Sequence, residues 1–178
     1  MSAFAIVGAA SASPVPAAFA WFKATAAPDT WKHASPPSGG AVMWYPPSLV
    51  RLKSDSASVS AAQKDTSGRI LVYLNATPRQ GAEQLATWAA FRIDHNRAED
   101  SRVRLHAQVT GLRFQAGARG SCVIDDYTTR TIVNHYEEIA CFVQGRTSAS
   151  VIVAAALQSD WARALPDLER AVSAFWVA

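Results

Sequence analysis

Ser121-Cys122-Val123-Ile124-Asp125-Asp126-Tyr127, then His135-Tyr136-Glu137-Glu138-Ile139-Ala140-Cys141-Phe142-Val143, then Ser150-Val151-Ile152-Val153-Ala154-Ala155-Ala156 are the stretches that decide how this chain folds. Each is rich in β-branched and apolar residues and is set off by turn-forming residues, so together they read as a three-strand antiparallel meander within Ala118 to Leu157. If Cys122 and Cys141 face each other on neighbouring strands, the register follows. Ile124 then opposes Ile139, Asp125 opposes Glu138, Asp126 opposes Glu137, and Tyr127 opposes Tyr136. A directly opposed, non-hydrogen-bonded pair has Cα atoms about 4.5 Å apart, which suits a disulfide.

That register places an acid pair on each face of the sheet, and like charges directly opposite are unfavourable. Three resolutions stand open. The register shifts by a residue or a bulge; Arg113, Arg119 or Arg130 neutralises the acids; or Asp125, Asp126, Glu137 and Glu138 form a candidate calcium site, a hard cation wanting several oxygen ligands. No calcium-loop pattern accompanies them. The cysteines are two free thiols if the protein stays in a reducing cytosol, or a bridge if it is exported. Without CxxC or histidine at ligand spacing, zinc has no support. We expect the bridge, and with it an extracytoplasmic protein, secreted or associated with the cell envelope.

Outward from the meander, the chain holds 178 residues, 49% hydrophobic and 17% charged, which suits one folded domain rather than a disordered tail. The net charge of +3 rests on 13 arginines and 4 lysines that are scattered rather than clustered, so nucleic acid is not an expected partner. Residues 1–29 read as an apolar N-terminal segment and linker, and residues 30–178 as the domain. Met1 to Phe22 carries no charge and holds Pro14 and Pro16. It reads as an export-signal remnant, a membrane tether or a docking arm rather than a spanning helix.

In order, strands are expected at Thr30 to Ala34 and Ala41 to Tyr45, which brings Trp31 near Trp44. A hairpin through Thr66-Ser67-Gly68 joins Val59–Asp65 to Arg69–Asn75, and the second run is apolar enough to lie mid-sheet with both faces covered. Thr77-Pro78-Arg79-Gln80 offers a helix start, followed by Ala82, Leu85, Ala86, Ala89 and Ile93 at helical spacing; the helix then fades into the polar run Asp94 to Asp100, with His95 solvated. Arg102 to Val109 alternates as a strand with one wet face, which carries His106 without an identifiable carboxylate partner. Trp161, Leu165, Leu168, Val172 and Phe175 mark a closing helix. Pro166 predicts a turn over Ser159 to Arg163 and a main helix from about Leu165.

Catalytic signatures are missing: no Gly-x-Ser-x-Gly elbow, HExxH, phosphate loop or dinucleotide fingerprint occurs. No cofactor is expected.

The order of these elements resembles the PsbP-like fold. A Trp strand, a strand ending in Tyr45-Pro46-Pro47, a hairpin, a helix after Thr77-Pro78, the meander and a closing helix from Asp160-Trp161 to Phe175 follow one another. That fold occurs in the extrinsic oxygen-evolving subunit of photosystem II, the nuclear Ran-binding Mog proteins and actinobacterial envelope lipoproteins. The likeness spans about Thr30 to Phe175 and is most specific at the closing helix, where members end in Ser-x-Phe or Ser-Phe and this chain has Ser173-Ala174-Phe175. It implies an α+β fold, an α-β-α sandwich around a mostly antiparallel sheet, and a non-catalytic binding or assembly role. No site residue carries over with it. The Arg- and Ala-rich usage suits an actinobacterial source. Sequence therefore points to an exported, non-catalytic binding or accessory protein of the cell envelope, for a protein or small ligand. Its alternatives are a subunit docked through the N-terminal arm, or an enzyme using Asp125, Asp126, Glu137 and Glu138 or His106.

Overall fold

A computed structural model of the chain describes residues 14–178. The calls on Met1 to Ser13, part of the export-signal or tether segment, lie outside the described residues. Strands β1 (Lys32–Ala34), β2 (Ala41–Tyr45), β3 (Val50–Leu52), β4 (Val59–Lys64) and β5 (Ile70–Pro78) precede helix α1 (Trp88–Glu99). Strands β6 (Ser101–Arg113), β7 (Arg119–Thr128), β8 (His135–Gln144) and β9 (Ala149–Leu157) lead to helix α2 (Trp161–Ala174) and a two-residue strand β10 (Trp176–Val177). Seven strands form one sheet in the order β3-β4-β5-β9-β8-β7-β6, and β1, β2 and β10 form a second. Every pairing is antiparallel. The fold is α+β, with helices on opposite faces of the large sheet.

The meander forms in the expected register. Cys122 opposes Cys141, Asp125 opposes Glu138, Asp126 opposes Glu137 and Tyr127 opposes Tyr136. The two cysteines are bonded, with Cα atoms 4.1 Å apart, and both are buried. Period-two alternation then sorts the strands into two cores. Cys122, Ile139, Cys141, Ile152 and Ala154 face α2 and the small sheet, where Leu168, Val172, Phe175 and Met43 close over them. Val123, Ala140, Phe142 and Val153 face α1 and pack under Trp88. Trp88 also donates its indole N–H to the Ala140 carbonyl at 2.9 Å, so the largest side chain under α1 is tied to the sheet as well as buried.

Several local expectations give way to tertiary context. Thr77 and Pro78 do not begin a helix; they extend β5 against Val151 and Ser150 of β9, and the Arg79 N–H continues the ladder to the Ala149 carbonyl. The helix starts ten residues later with Thr87 at its N-cap, and the polar run that was expected to fray forms its second half. Pro166 does not break α2, which is continuous from Trp161. Proline removes one backbone donor there, and the carbonyl it would have served belongs to Ala162, which like Pro166 is exposed and meets water. On the small sheet His33, not Trp31, opposes Trp44, with ring centroids 4.8 Å apart. Strands β3 and β10 are too short to leave a periodic signature.

The part of the N-terminal segment that is described lies against the domain. Phe19 is buried, and Trp21 and Phe22 pack on the α2-side core. The Thr25 N–H reaches the Ser173 carbonyl at 3.1 Å, while Gln115 Nε2 donates to the carbonyls of Thr25 and Ala174. Phe22 meets Phe114 at 4.7 Å between centroids, and Phe114 lies across Gly120, where a Cβ would come within 2.2 Å of the ring. No helix among the described residues is long and apolar enough to cross a membrane.

Two stability measurements follow from this packing. Gly120→Ala should displace Phe114 and lower stability by about 1–3 kcal/mol in urea melts. Replacing both cysteines with alanine should cost about 3 kcal/mol, since the bond closes a loop of about twenty residues in the unfolded chain. Unchanged midpoints would contradict either.

Candidate functional site

Helix α1 covers β6, β7 and β8 and leaves the same face of β4 and β5 open. The expectation that β5 is covered on both sides fails here: Val72, Leu74 and Ala76 are buried, but Tyr73, Asn75 and Thr77 point to the open side and are half-buried. Above them lies a cleft of about 770 Å³, within the range of roughly 300–1,000 Å³ usual for ligand sites. Its floor is Ser60 of β4, Tyr73, Asn75 and Thr77 of β5, Ala155 of β9 and Tyr136 of β8. One wall is the β3–β4 loop, where Asp55 Oδ1 accepts the N–H groups of Ala57 at 2.9 Å and Ser58 at 2.7 Å. The facing wall is the second half of α1, through His95 and Glu99. A smaller hollow of about 220 Å³ continues between Trp88, Arg92 and β5.

The floor is a connected hydrogen-bond chain. Thr77 Oγ1 donates to Asn75 Oδ1 at 2.7 Å, and Asn75 Nδ2 donates to Ser60 Oγ at 2.9 Å and to the Val59 carbonyl at 3.3 Å. Ser60 Oγ and Tyr73 OH lie 3.1 Å apart. Tyr136 OH donates to the Ile70 carbonyl at 2.8 Å and stacks on Tyr127 with centroids 6.0 Å apart.

The acids occupy two separate places. Asp125 and Glu138 sit under α1, wholly buried, while Asp126 and Glu137 point to the other face. The four carboxylates therefore do not converge on one point, and no group of three or more metal-ligating side chains occurs among the described residues. None of the three arginines weighed from the sequence neutralises the buried pair; Arg130, for one, donates to the carbonyls of Asp100 and Arg97. The cation is Arg92 of α1, whose Nε and Nη2 donate to the two Glu138 oxygens at 2.7 and 2.8 Å. Asn96, one turn further along, donates Nδ2 to Asp125 Oδ2 at 2.8 Å and to Glu138 Oε1 at 3.3 Å. No sequence motif marks Arg92 or Asn96; the available signal is that with Trp88 they recur at every fourth residue on one helix face.

These contacts set the charge state. Burial and the Glu138 charge push the Asp125 carboxyl up to about 8, against the opposing pull of Arg92 and Asn96. Burial also opposes the charge on Glu138, but the doubly bonded Arg92 guanidinium, with help from Asp125 and Asn96, holds it below the usual carboxylate range. A hydrogen bond between the two carboxyls raises Asp125 and lowers Glu138, so Asp125 is the one that keeps the proton; its Oδ1 is reached by no donor among the described residues. Burial and the Glu138 charge raise the Tyr127 phenol well above its ordinary value, so it stays neutral.

On the opposite face, at the β6 edge, the partner missing for His106 is Asp126, with Nε2 and Oδ2 2.5 Å apart. His95 is exposed, as expected. Of the residues nominated for chemistry, Asp125 and Glu138 are sealed beneath α1, and His106, Asp126 and Glu137 lie across the sheet from the cleft.

By sequence the chain matches no family model, and no curated protein matches it. Solved structures do match. Cyanobacterial PsbP (CyanoP) from Synechocystis sp. PCC 6803 superposes with a TM-score of 0.58 at 14% identity, over 84% of this chain and 93% of that one. LpqN, involved in cell envelope biogenesis of Mycobacterium tuberculosis, superposes with a TM-score of 0.52 at 10% identity, over 83% of this chain and 90% of that one. The fold is PsbP-like.

The pH dependence of stability isolates the buried pair. Folded Asp125 keeps its proton to about pH 8, while in the unfolded chain it ionises near pH 4. The folded state thus binds more protons between those values, and stability falls as pH rises through them. Asp125→Asn, which keeps a donor for Glu138, should gain on the wild type by up to about 1.4 kcal/mol per pH unit across that window. Parallel curves would contradict the assignment. Arg92→Met leaves Glu138 buried without its counter-charge and should cost about 3–5 kcal/mol at neutral pH in denaturant melts.

Proposed function

We propose that this protein is a non-catalytic binding protein of the cell envelope, acting outside the cytoplasm, and that its ligand occupies the cleft over β4 and β5. The observation that carries this reading is the uneven cover of the sheet, which leaves a concave face floored by linked polar side chains between two walls. Clefts of this size with a few convergent polar groups are where small ligands bind. The Cys122–Cys141 bond supports an oxidising compartment, and the likeness to LpqN agrees with an envelope setting. Non-catalytic action is favoured by where the acids sit. The one strongly perturbed carboxylate pair is closed off under α1 and committed to Arg92 and Asn96, out of reach of a substrate in the cleft.

Amide NMR titration of the purified protein with the small-molecule fraction of its native envelope tests the site. Signals of Ser60, Tyr73, Asn75 and Thr77 should shift, and Gln80→Trp, an exposed rim substitution that narrows the mouth, should abolish the shift while leaving the melting temperature unchanged. Shifts confined to the His106–Asp126 face would contradict the cleft. Thiol alkylation of intact cells should leave both cysteines unlabelled; labelling without prior reduction would contradict the compartment.

A further inference from the structure

The chemistry of the cleft floor narrows the kind of molecule it takes. Thr77 spends its proton on Asn75 Oδ1, and Asn75 spends both amide protons on Ser60 Oγ and the Val59 carbonyl. Only one bond joins Ser60 to Tyr73, yet each hydroxyl brings a proton. Whichever of them donates, one O–H is left over and faces the cleft. The lone pairs of Thr77 Oγ1 and of Tyr136 OH, whose own proton goes to Ile70, remain as acceptors. The floor therefore offers donors and acceptors side by side, none of them charged.

Other ligand classes fit less well. An acyl chain would strip water from these hydroxyls and the Asn75 amide and return no hydrogen bonds, which costs on the order of 1–3 kcal/mol for each group left unpaired. An anion would want arginine or a cluster of amides; the lining holds no arginine, and its one lysine, Lys53, shares it with the acids Asp55 and Glu99. A cation would want several converging carboxylates; Asp55 is already turned to the backbone N–H groups of its own loop, which leaves Glu99 alone on the facing wall.

We propose that the cleft recognises a neutral polyhydroxylated molecule, a sugar or short glycan, through the Ser60–Tyr73–Asn75–Thr77 chain, with the tyrosine rings beside it taking the apolar C–H faces of the sugar. This rests on the reading of the cleft as the binding site and names its ligand class. Each sugar hydroxyl both donates and accepts, as each floor hydroxyl does, so the two arrays pair without burying an unsatisfied group.

The test is an amide NMR titration of the intact protein with maltose, cellobiose and chitobiose, with octanoate and inorganic phosphate as comparators. The disaccharides should shift the signals of Ser60, Tyr73, Asn75 and Thr77. The Ser60→Ala/Tyr73→Phe double variant, which removes both candidates for the unspent proton, should bind about tenfold more weakly or worse, with amide signals away from the cleft unchanged as the control that it folds. If octanoate or phosphate shifts those signals and the disaccharides do not, the ligand class is overturned and the cleft stands as the site. If the double variant binds the disaccharides as tightly as the wild type, the hydrogen-bond chain is not what recognises them, and the proposal fails. Silence at those residues with every probe also overturns the class, and silence with the envelope fraction as well removes the cleft as a binding site.

Discussion

Two carboxylates that cannot avoid each other govern this structure. The β7–β8 register, closed by the Cys122–Cys141 bond, sets Asp125 directly opposite Glu138 on the face that α1 covers. Left alone, two buried like charges in contact would oppose that register. They are accommodated by one cation and one proton. Arg92 grips both oxygens of Glu138, Asp125 stays protonated, and Asn96 bonds to both residues. Because Arg92 and Asn96 lie a turn apart on α1, satisfying the acids also fixes where the helix sits along the sheet and how it is rotated.

Such a pair is poor evidence for stability in itself, since desolvation consumes most of what attraction returns. Its consequence here is positional. Helix α1 is held over β6, β7 and β8, so β4 and β5 stay bare on that face, and the exposed side of α1 becomes a wall of the cleft. Ala155, on the cleft floor, pairs with Glu138, and Glu138 pairs with Asp125. One row across the sheet thus runs from open polar surface to sealed ionic contact. On the other face, α2 and the small sheet close over the disulfide, leaving the core beneath them filled.

The meander and the amphipathic stripe of α2 were legible because each rests on a short repeat, period two or period 3.6, carried by neighbouring residues, and the register because it follows from one cysteine pair. What was not legible depends on residues far apart. Arg92 and Glu138 are 46 positions distant, and no local pattern marks an arginine as the partner of an acid on a strand not yet placed. Thr77-Pro78 carries a helix-start signature, but pairing with β9 outweighs so weak a local preference. Tyr73-x-Asn75-x-Thr77 shows the polar alternation of an open face, which the apolar residues between them obscured. A cation site is one of three readings that the opposed carboxylates leave open from sequence; in the fold one pair is a helix anchor neutralised by an arginine and the other a surface contact with His106.

The most direct test is carboxyl-carbon NMR of the protein with labelled Asp and Glu, followed from about pH 3 to pH 9. Glu138 should remain ionised to below the ordinary carboxylate range while Asp125 titrates near 8. If both ionise together near pH 4, no proton is shared under α1, and the account of what positions the helix and shapes the cleft is wrong.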